Sequence, residues 1–297
     1  MNIFKTNSSK TNSSKTNSPR MKIRKFRPAN LIVNILVMLF SVSCIFPVFW
    51  LFYSSLKTET EFSLDQIALP SAPQFDNFVK ALRQANFDTY IWNSVFNSLI
   101  TLVAVLILSF MLGYCLTRYR FKGRSLIYTV LMAGMMIPVY GLIIPVFMQE
   151  KMLGILNSRF SLLPICTAIE LPFAVMLINS YLRGISTELE EAAEVDGASM
   201  LQTMYLIMFP VCKPVMTTIG ILTFMHVWNE FPFTRVLIVK EELKTIPLGL
   251  TYFTSQYTTN YTLLLAALTL STLPLLVLYL FCYQNIMKGM MAGAVKG

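Results

Sequence analysis

"TYIWNSVFNSLITLVAVLILSFMLGYCLT", residues 89–117, runs for 29 residues without one charged side chain. Wound as a helix at about 1.5 Å per residue it reaches about 43 Å, more than the roughly 30 Å of a bilayer's hydrocarbon core. Residues 28–56 and 125–149 are uncharged in the same way. A fourth apolar run, 161–182, contains a single acid, Glu170; a fifth covers 208–231; a sixth lies inside the uncharged stretch 245–287. None of them shows the alternating ten-residue segments of a lipid-facing barrel. In lipid every backbone polar group must be satisfied internally, which leaves helices. The expected fold is therefore all-α: a polytopic membrane protein with six transmembrane helices over about 29–53, 91–117, 125–148, 161–182, 208–231 and 261–284.

Composition agrees with that reading. Of 297 residues, 55% are hydrophobic and 13% charged, and mean hydropathy is +0.59, outside the soluble globular range. The net charge of +9 is that of a membrane protein gathering Lys and Arg on its cytoplasmic loops, and no nucleic-acid partner is expected. With the N-terminus inside, 16 Lys and Arg fall on inside segments and 8 on outside ones, which favours a multi-pass cell-membrane protein with both termini cytoplasmic. Residues 1–28, which include the polar repeat "KTNSSKTNSSKTNS" (5–18), read as a disordered basic cytoplasmic tail, not a signal peptide. Residues 29–297 form the transmembrane domain. Between the first two spans, "DNFVKALRQ" (76–84) suits a short surface helix outside the membrane.

Chemistry-bearing clusters are sparse. The five cysteines are scattered singly with no metal-ligand spacing, and His226 is the one histidine, so neither a metal nor a His-based triad is expected. No G-x-x-x-x-G-K-[ST] occurs, so the chain has no P-loop, no catalytic residues are assigned, and no cofactor is expected.

One stretch departs from the rest. "STELEEAAEVDGAS", residues 186–199, holds five of the fifteen carboxylates: Glu188, Glu190, Glu191, Glu194 and Asp196. Thr187 with Glu190 fits a capping box, early acids suit the positive end of a helix dipole, and Gly197 sits where the helix should stop. Ala192 and Ala193 leave one face nearly flat, open to close approach by another backbone. An anionic leaflet attracts Lys and Arg, so this loop, 183–210, suits a basic protein groove or plain solvent.

The twenty residues "EAAEVDGASMLQTMYLIMFP" (191–210) resemble the EAA loop of ATP-binding-cassette importer permeases. Glu191, Ala192, Ala193, Gly197, Ile207 and Pro210 match that pattern in register, with Phe209 in place of the usual Leu. "MMIPVYGLIIPVF" (135–147), "LPFAVMLINSYLRGI" (171–185), "WNEF" (228–231) and "GMMAGAVKG" (289–297) are similar to the carbohydrate-uptake, maltose-type branch, and within it to the smaller permease partner. The resemblance covers residues 29–297. It implies an importer-permease fold whose loop forms a cytoplasmic coupling helix, with Glu190, Glu191, Ala192, Ala193, Asp196, Gly197 and Ala198 docking an ATPase subunit. It also implies two ATPase subunits, a second permease in a heterodimer, an extracytoplasmic solute-binding protein, and ATP hydrolysis in a partner rather than in this chain.

Solute contacts are less legible. Glu170 is the acid well inside a span, which flags function, although freed backbone beside Pro172 is an alternative partner. Asn93 and Asn97 share a helical face and are read as interhelical glue more than as cavity lining. His226, Trp228 and Asn229 mix a ring and an amide as a sugar site would, and Trp228 also suits an interfacial anchor. Pro138, Pro145, Pro164, Pro172, Pro210, Pro214 and Pro274 lie in or beside spans and suggest kinks around a pathway. The competing reading is a self-sufficient secondary transporter, which would want charged relays in several spans or paired broken helices. A membrane enzyme lacks a catalytic cluster.

Overall fold

A computed structural model describes residues 28–84, 86–254 and 259–294. The expected tail before residue 28 and the last three residues lie outside them. The chain divides into two units, residues 1–47 and 48–297. The first contributes helix from Pro28 on. The helices run α1 Pro28–Ser54, α2 Glu59–Leu64, α3 Asp76–Gln84, α4 Phe87–Arg118, α5 Arg124–Gly134, α6 Ile143–Leu153, α7 Leu162–Leu182, α8 Glu188–Val195, α9 Met200–Gln202, α10 Phe209–Val211, α11 Lys213–Trp228, α12 Pro232–Leu237, α13 Ile246–Gly249 and α14 Tyr261–Ala294. Among the described residues no strand forms; one isolated bridge joins Thr254 and Thr259.

Among the described residues four helices (α1, α4, α7 and α14) are long and apolar enough to cross a membrane, and the number rises to six if each of two bent pairs is one span. The two breaks fall beside prolines that the sequence marked as kinks, and they are sharper than a kink. Residues 124–134 and 139–153 meet at 96°, and residues 200–211 and 213–228 at 75°. Proline explains both breaks. Pro138 opens a 3₁₀ turn, Val139–Leu142, and cannot donate to a preceding turn. Pro214 sits in the first turn of α11, where the ring is tolerated but the preceding helix cannot run through it. Just before it, Thr203–Met208 is π-helix, so the loop that begins at α8 enters the span through an irregular, bent segment.

Within the second unit α4 is the central post, packed chiefly on α7 and α11. Gly113 lets α4 and α7 close: a Cβ there would lie 2.6 Å from Ile178 Cγ2. Around this contact Phe110, Tyr114, Ile178, Leu182, Met204, Met208 and Ile219 form the core at the α8 end. At the opposite end Phe87, Tyr90, Trp228, Ile246, Phe253 and Ala266 form another. Gly249 meets Tyr90 so closely that a Cβ would fall 2.0 Å from its ring. A third cluster gathers Leu162, Cys166, Val227, Phe233 and Leu237 where α7, α11 and α12 meet.

The connection between α1 and α4 contains the expected surface helix as α3. It is tied down by capping. Thr58 and Glu61 form a capping box on α2. Bonds from the Thr58 and Ser71 amides hold the Glu61 carboxyl below its ordinary range. Asn77 Nδ2 donates to the carbonyls of Ser55 and Lys57. Glu59 accepts from the backbone N–H groups of Tyr261 and Thr262, which caps the start of α14.

Candidate functional site

The acidic loop is built on the ends of two long helices. Arg118, in the last turn of α4, donates from Nε to Glu190 Oε1 at 2.7 Å and from Nη2 to the Ile185 carbonyl at 3.0 Å. Both side chains of the ion pair are largely buried, 9% and 15% exposed. One charge-assisted pair therefore fixes the start of α8 to the base of α4. The expected capping box does not form. Thr187 has helical dihedrals, and its hydroxyl donates to Glu191 Oε1 at 2.9 Å instead, because Glu190 is engaged by Arg118.

The other end of α8 closes on a glycine. Gly197 has φ +82°, its N–H bonds to the Glu194 carbonyl, and the Ala198 N–H reaches back to the Ala193 carbonyl at 2.9 Å. These two bonds make a Schellman motif with Asp196 as the cap, and the positive φ favours glycine. The chain then turns into α9, where Ser199 and Gln202 form the capping box that Thr187 does not.

This geometry decides which residues of α8 face outward. Ala193 is 5% exposed and packs inward, so it is removed from the outward-facing set that the sequence suggested. Glu190 is likewise engaged inside the chain. The outward face carries Leu189, Ala192, Val195 and Asp196, flanked by Glu188 and Glu191, and Val195 is 87% exposed. It is an apolar strip with an acidic border. Ala198 is half-buried and lines a cavity of about 370 Å³ behind α8, together with Tyr114, Arg118, Glu190, Glu191 and Glu194.

The second cluster lies toward the opposite end. Glu170 on α7 and His226 on α11 pair across the helices, with Nδ1 3.0 Å from Oε1. They line a cavity of about 680 Å³ with Asn229, Tyr140, Met225 and Phe233. Tyr140 was missed in the sequence; the signal was its place two residues after Pro138, in the turn that follows the break. Glu170 is thus brought together with His226 and Asn229, and its partner is a side chain rather than backbone freed by Pro172.

The other solute candidates go elsewhere. Asn93 is buried, and its Nδ2 donates to the carbonyls of Glu242 and Lys244, stapling the loop before α13. Asn97 is buried on the same helix and does not line the Glu170 cavity. Trp228 is 2% exposed, stacked on Phe224, with Nε1 donating to the Ser271 carbonyl. It locks α11 to α14 and is neither an interfacial anchor nor a cavity residue. Glu230, although a cavity residue, accepts from the N–H groups of Phe233 and Thr234 and so starts α12.

Residues 106–291, which contain both clusters, match the family described as "Binding-protein-dependent transport system inner membrane component". A putative ABC transporter permease protein of Caldicellulosiruptor sp. is 36% identical over 252 residues, covering 84% of this chain and 91% of its own length. A diacetylchitobiose uptake system permease protein of Streptomyces coelicolor is 32% identical over 267 residues, covering 89% of this chain and 88% of its own. Among solved structures, a bacterial ABC transporter involved in import of the acidic polysaccharide alginate superposes with a TM-score of 0.78 at 24% identity, over 87% of this chain and 96% of that one. At that identity the likeness speaks for the fold.

Proposed function

This chain belongs to the binding-protein-dependent transport system inner membrane components, and on that premise we propose that α8 is the helix through which ATPase subunits drive it and that the Glu170 cavity lines its half of a sugar path. The chain is a permease subunit of an ATP-driven importer. It pairs with a second permease, and an extracytoplasmic binding protein delivers the solute on the side opposite α8. Both termini lie in the cytoplasm with the ATPase subunits.

The observation that carries the coupling reading is the outward face of α8. Leu189, Ala192 and Val195 present apolar surface that the described residues leave uncovered, while Arg118–Glu190 and the Gly197 turn hold the helix at both ends. A push on α8 then passes to α4 through the ion pair and to α11 through the π-helix and the bend at Cys212. The ATPase does work on the permease only through contacts that differ between its nucleotide states. In the cavity, Tyr140 is exposed and offers a ring face to a pyranose, and Asn229, His226 and Glu170 offer hydrogen bonds to its hydroxyls. The diacetylchitobiose permease among the relatives supports a short oligosaccharide as the solute.

The test is reconstitution. Proteoliposomes holding both permeases, ATPase subunits and binding protein should take up labelled oligosaccharide only with ATP inside. Uptake by this chain alone under an ion gradient would favour the secondary transporter instead.

A further inference from the structure

A third cavity, at the α8 end, has a different character. It encloses about 690 Å³ between the end of α4, the start of α5 and the end of α7. Three arginines line it, Arg120, Arg124 and Arg183, with Ser125, Tyr128 and Asn179, and no carboxylate does. Among the described residues none of the three makes an ion pair. Arg183 Nε donates to the neutral Asn179 amide at 2.7 Å, and Arg124 reaches only the Thr117 carbonyl at 3.5 Å. Gly123, with φ +91°, precedes α5 and has no side chain to cap it. Ser125 and Leu126, in the first turn of α5, line the same space, and their N–H groups have no intrahelical partner.

Arg120 and Arg183 are exposed and Arg124 is half-buried, so water screens their mutual repulsion, but three guanidinium groups on one pocket still favour an anion among them, and their planar forks suit phosphate oxygens. The surroundings say which phosphate. Leu126 and Val130, 67% and 62% exposed, run up α5 from the rim, and α5 carries no charge after Arg124. α5 opens a bent pair that is long and apolar enough to be one span, and taken as a span it puts the first turn of α5 at headgroup level. A cationic pocket under an apolar helix face fits a phosphate attached to acyl chains. We propose that this cavity binds the headgroup of an anionic phospholipid, with Arg120, Arg124 and Arg183 on the phosphate and Leu126 and Val130 along the acyl chain.

The experiment titrates the purified full chain in neutral detergent with phosphatidylglycerol, phosphatidylcholine or inorganic phosphate, reading bound lipid by native mass spectrometry. Phosphatidylglycerol should be retained in preference to phosphatidylcholine. Arg120→Gln, Arg124→Gln and Arg183→Gln should each weaken it about fivefold, the value of one Lys or Arg near an anionic surface. Lys122→Gln removes the same charge from the same turn but does not line the cavity, and it should change nothing. A second readout uses the unaltered chain: phosphatidylglycerol should slow arginine modification by phenylglyoxal at the three positions. Equal weakening by Lys122→Gln, no preference between the lipids, or equal protection by inorganic phosphate would overturn the assignment. So would protection that appears only when ATPase subunits are added.

Discussion

Replacing Glu190 by Gln isolates the joint between α8 and the membrane helices. The wild-type contact is one charge-assisted bond of 2.7 Å between side chains that are 9% and 15% exposed. Gln keeps the volume and one hydrogen bond but leaves the Arg118 charge without a counter-ion in a partly dry site. Breaking a buried pair from one side costs about 3–5 kcal/mol, and the retained bond and residual exposure place this case near about 3 kcal/mol. That figure corresponds to a loss of roughly 150-fold in the ratio of docked to undocked α8. Hydrogen exchange of the 188–198 amides in the assembled transporter should accelerate by about that factor, while ATP hydrolysis continues and uptake falls. The double variant Arg118→Gln with Glu190→Gln should recover part of the loss, since no unpaired charge remains. Glu191 is exposed and held only by Thr187, so Glu191→Gln should leave exchange within about twofold of wild type. Unchanged exchange and uptake in Glu190→Gln would refute the idea that this pair transmits the stroke.

Two further outcomes follow from the same geometry. Gly197→Ala adds a Cβ that meets nothing within 4 Å, so its cost is the backbone strain of φ +82° alone, about 1–2 kcal/mol; a lowered melting temperature of the transporter, with Gly197→Asn less affected, would report it. Glu170→Gln replaces a charged partner of His226 by a neutral one in the cavity and should raise the KM for uptake with little change in ATPase activity; unchanged uptake kinetics would leave the pair a structural one.

The spans were legible because a bilayer admits no unsatisfied backbone, so an uncharged run such as 89–117 has one outcome. The sharp bends at 135–138 and at Cys212 were not, because proline in a membrane helix signals anything from no kink to a break. At the loop, Gly197 was readable as a helix stop because a glycine after a helical run has a local meaning. The inward burial of Ala193 was not, since an alanine looks the same whether it faces a partner or its own chain. Arg118 and Glu190 lie 72 positions apart, beyond any local pattern. Trp228 was offered as a solute contact when the Ser271 carbonyl already held its polar tip, and Asn93, read chiefly as glue between helices, is held by the Glu242 and Lys244 carbonyls of a loop.

The most direct test of the account places a cysteine at Ala192, on the exposed face of α8, in a chain whose own cysteines have been replaced. In inside-out membrane vesicles holding the assembled transporter, a short bifunctional maleimide should join that position to an ATPase subunit, with a yield that changes when ATP replaces no nucleotide. Capture of no ATPase in either state, or modification of the cysteine by an impermeant reagent added to intact cells, would contradict the claim that α8 is the cytoplasmic handle of this permease.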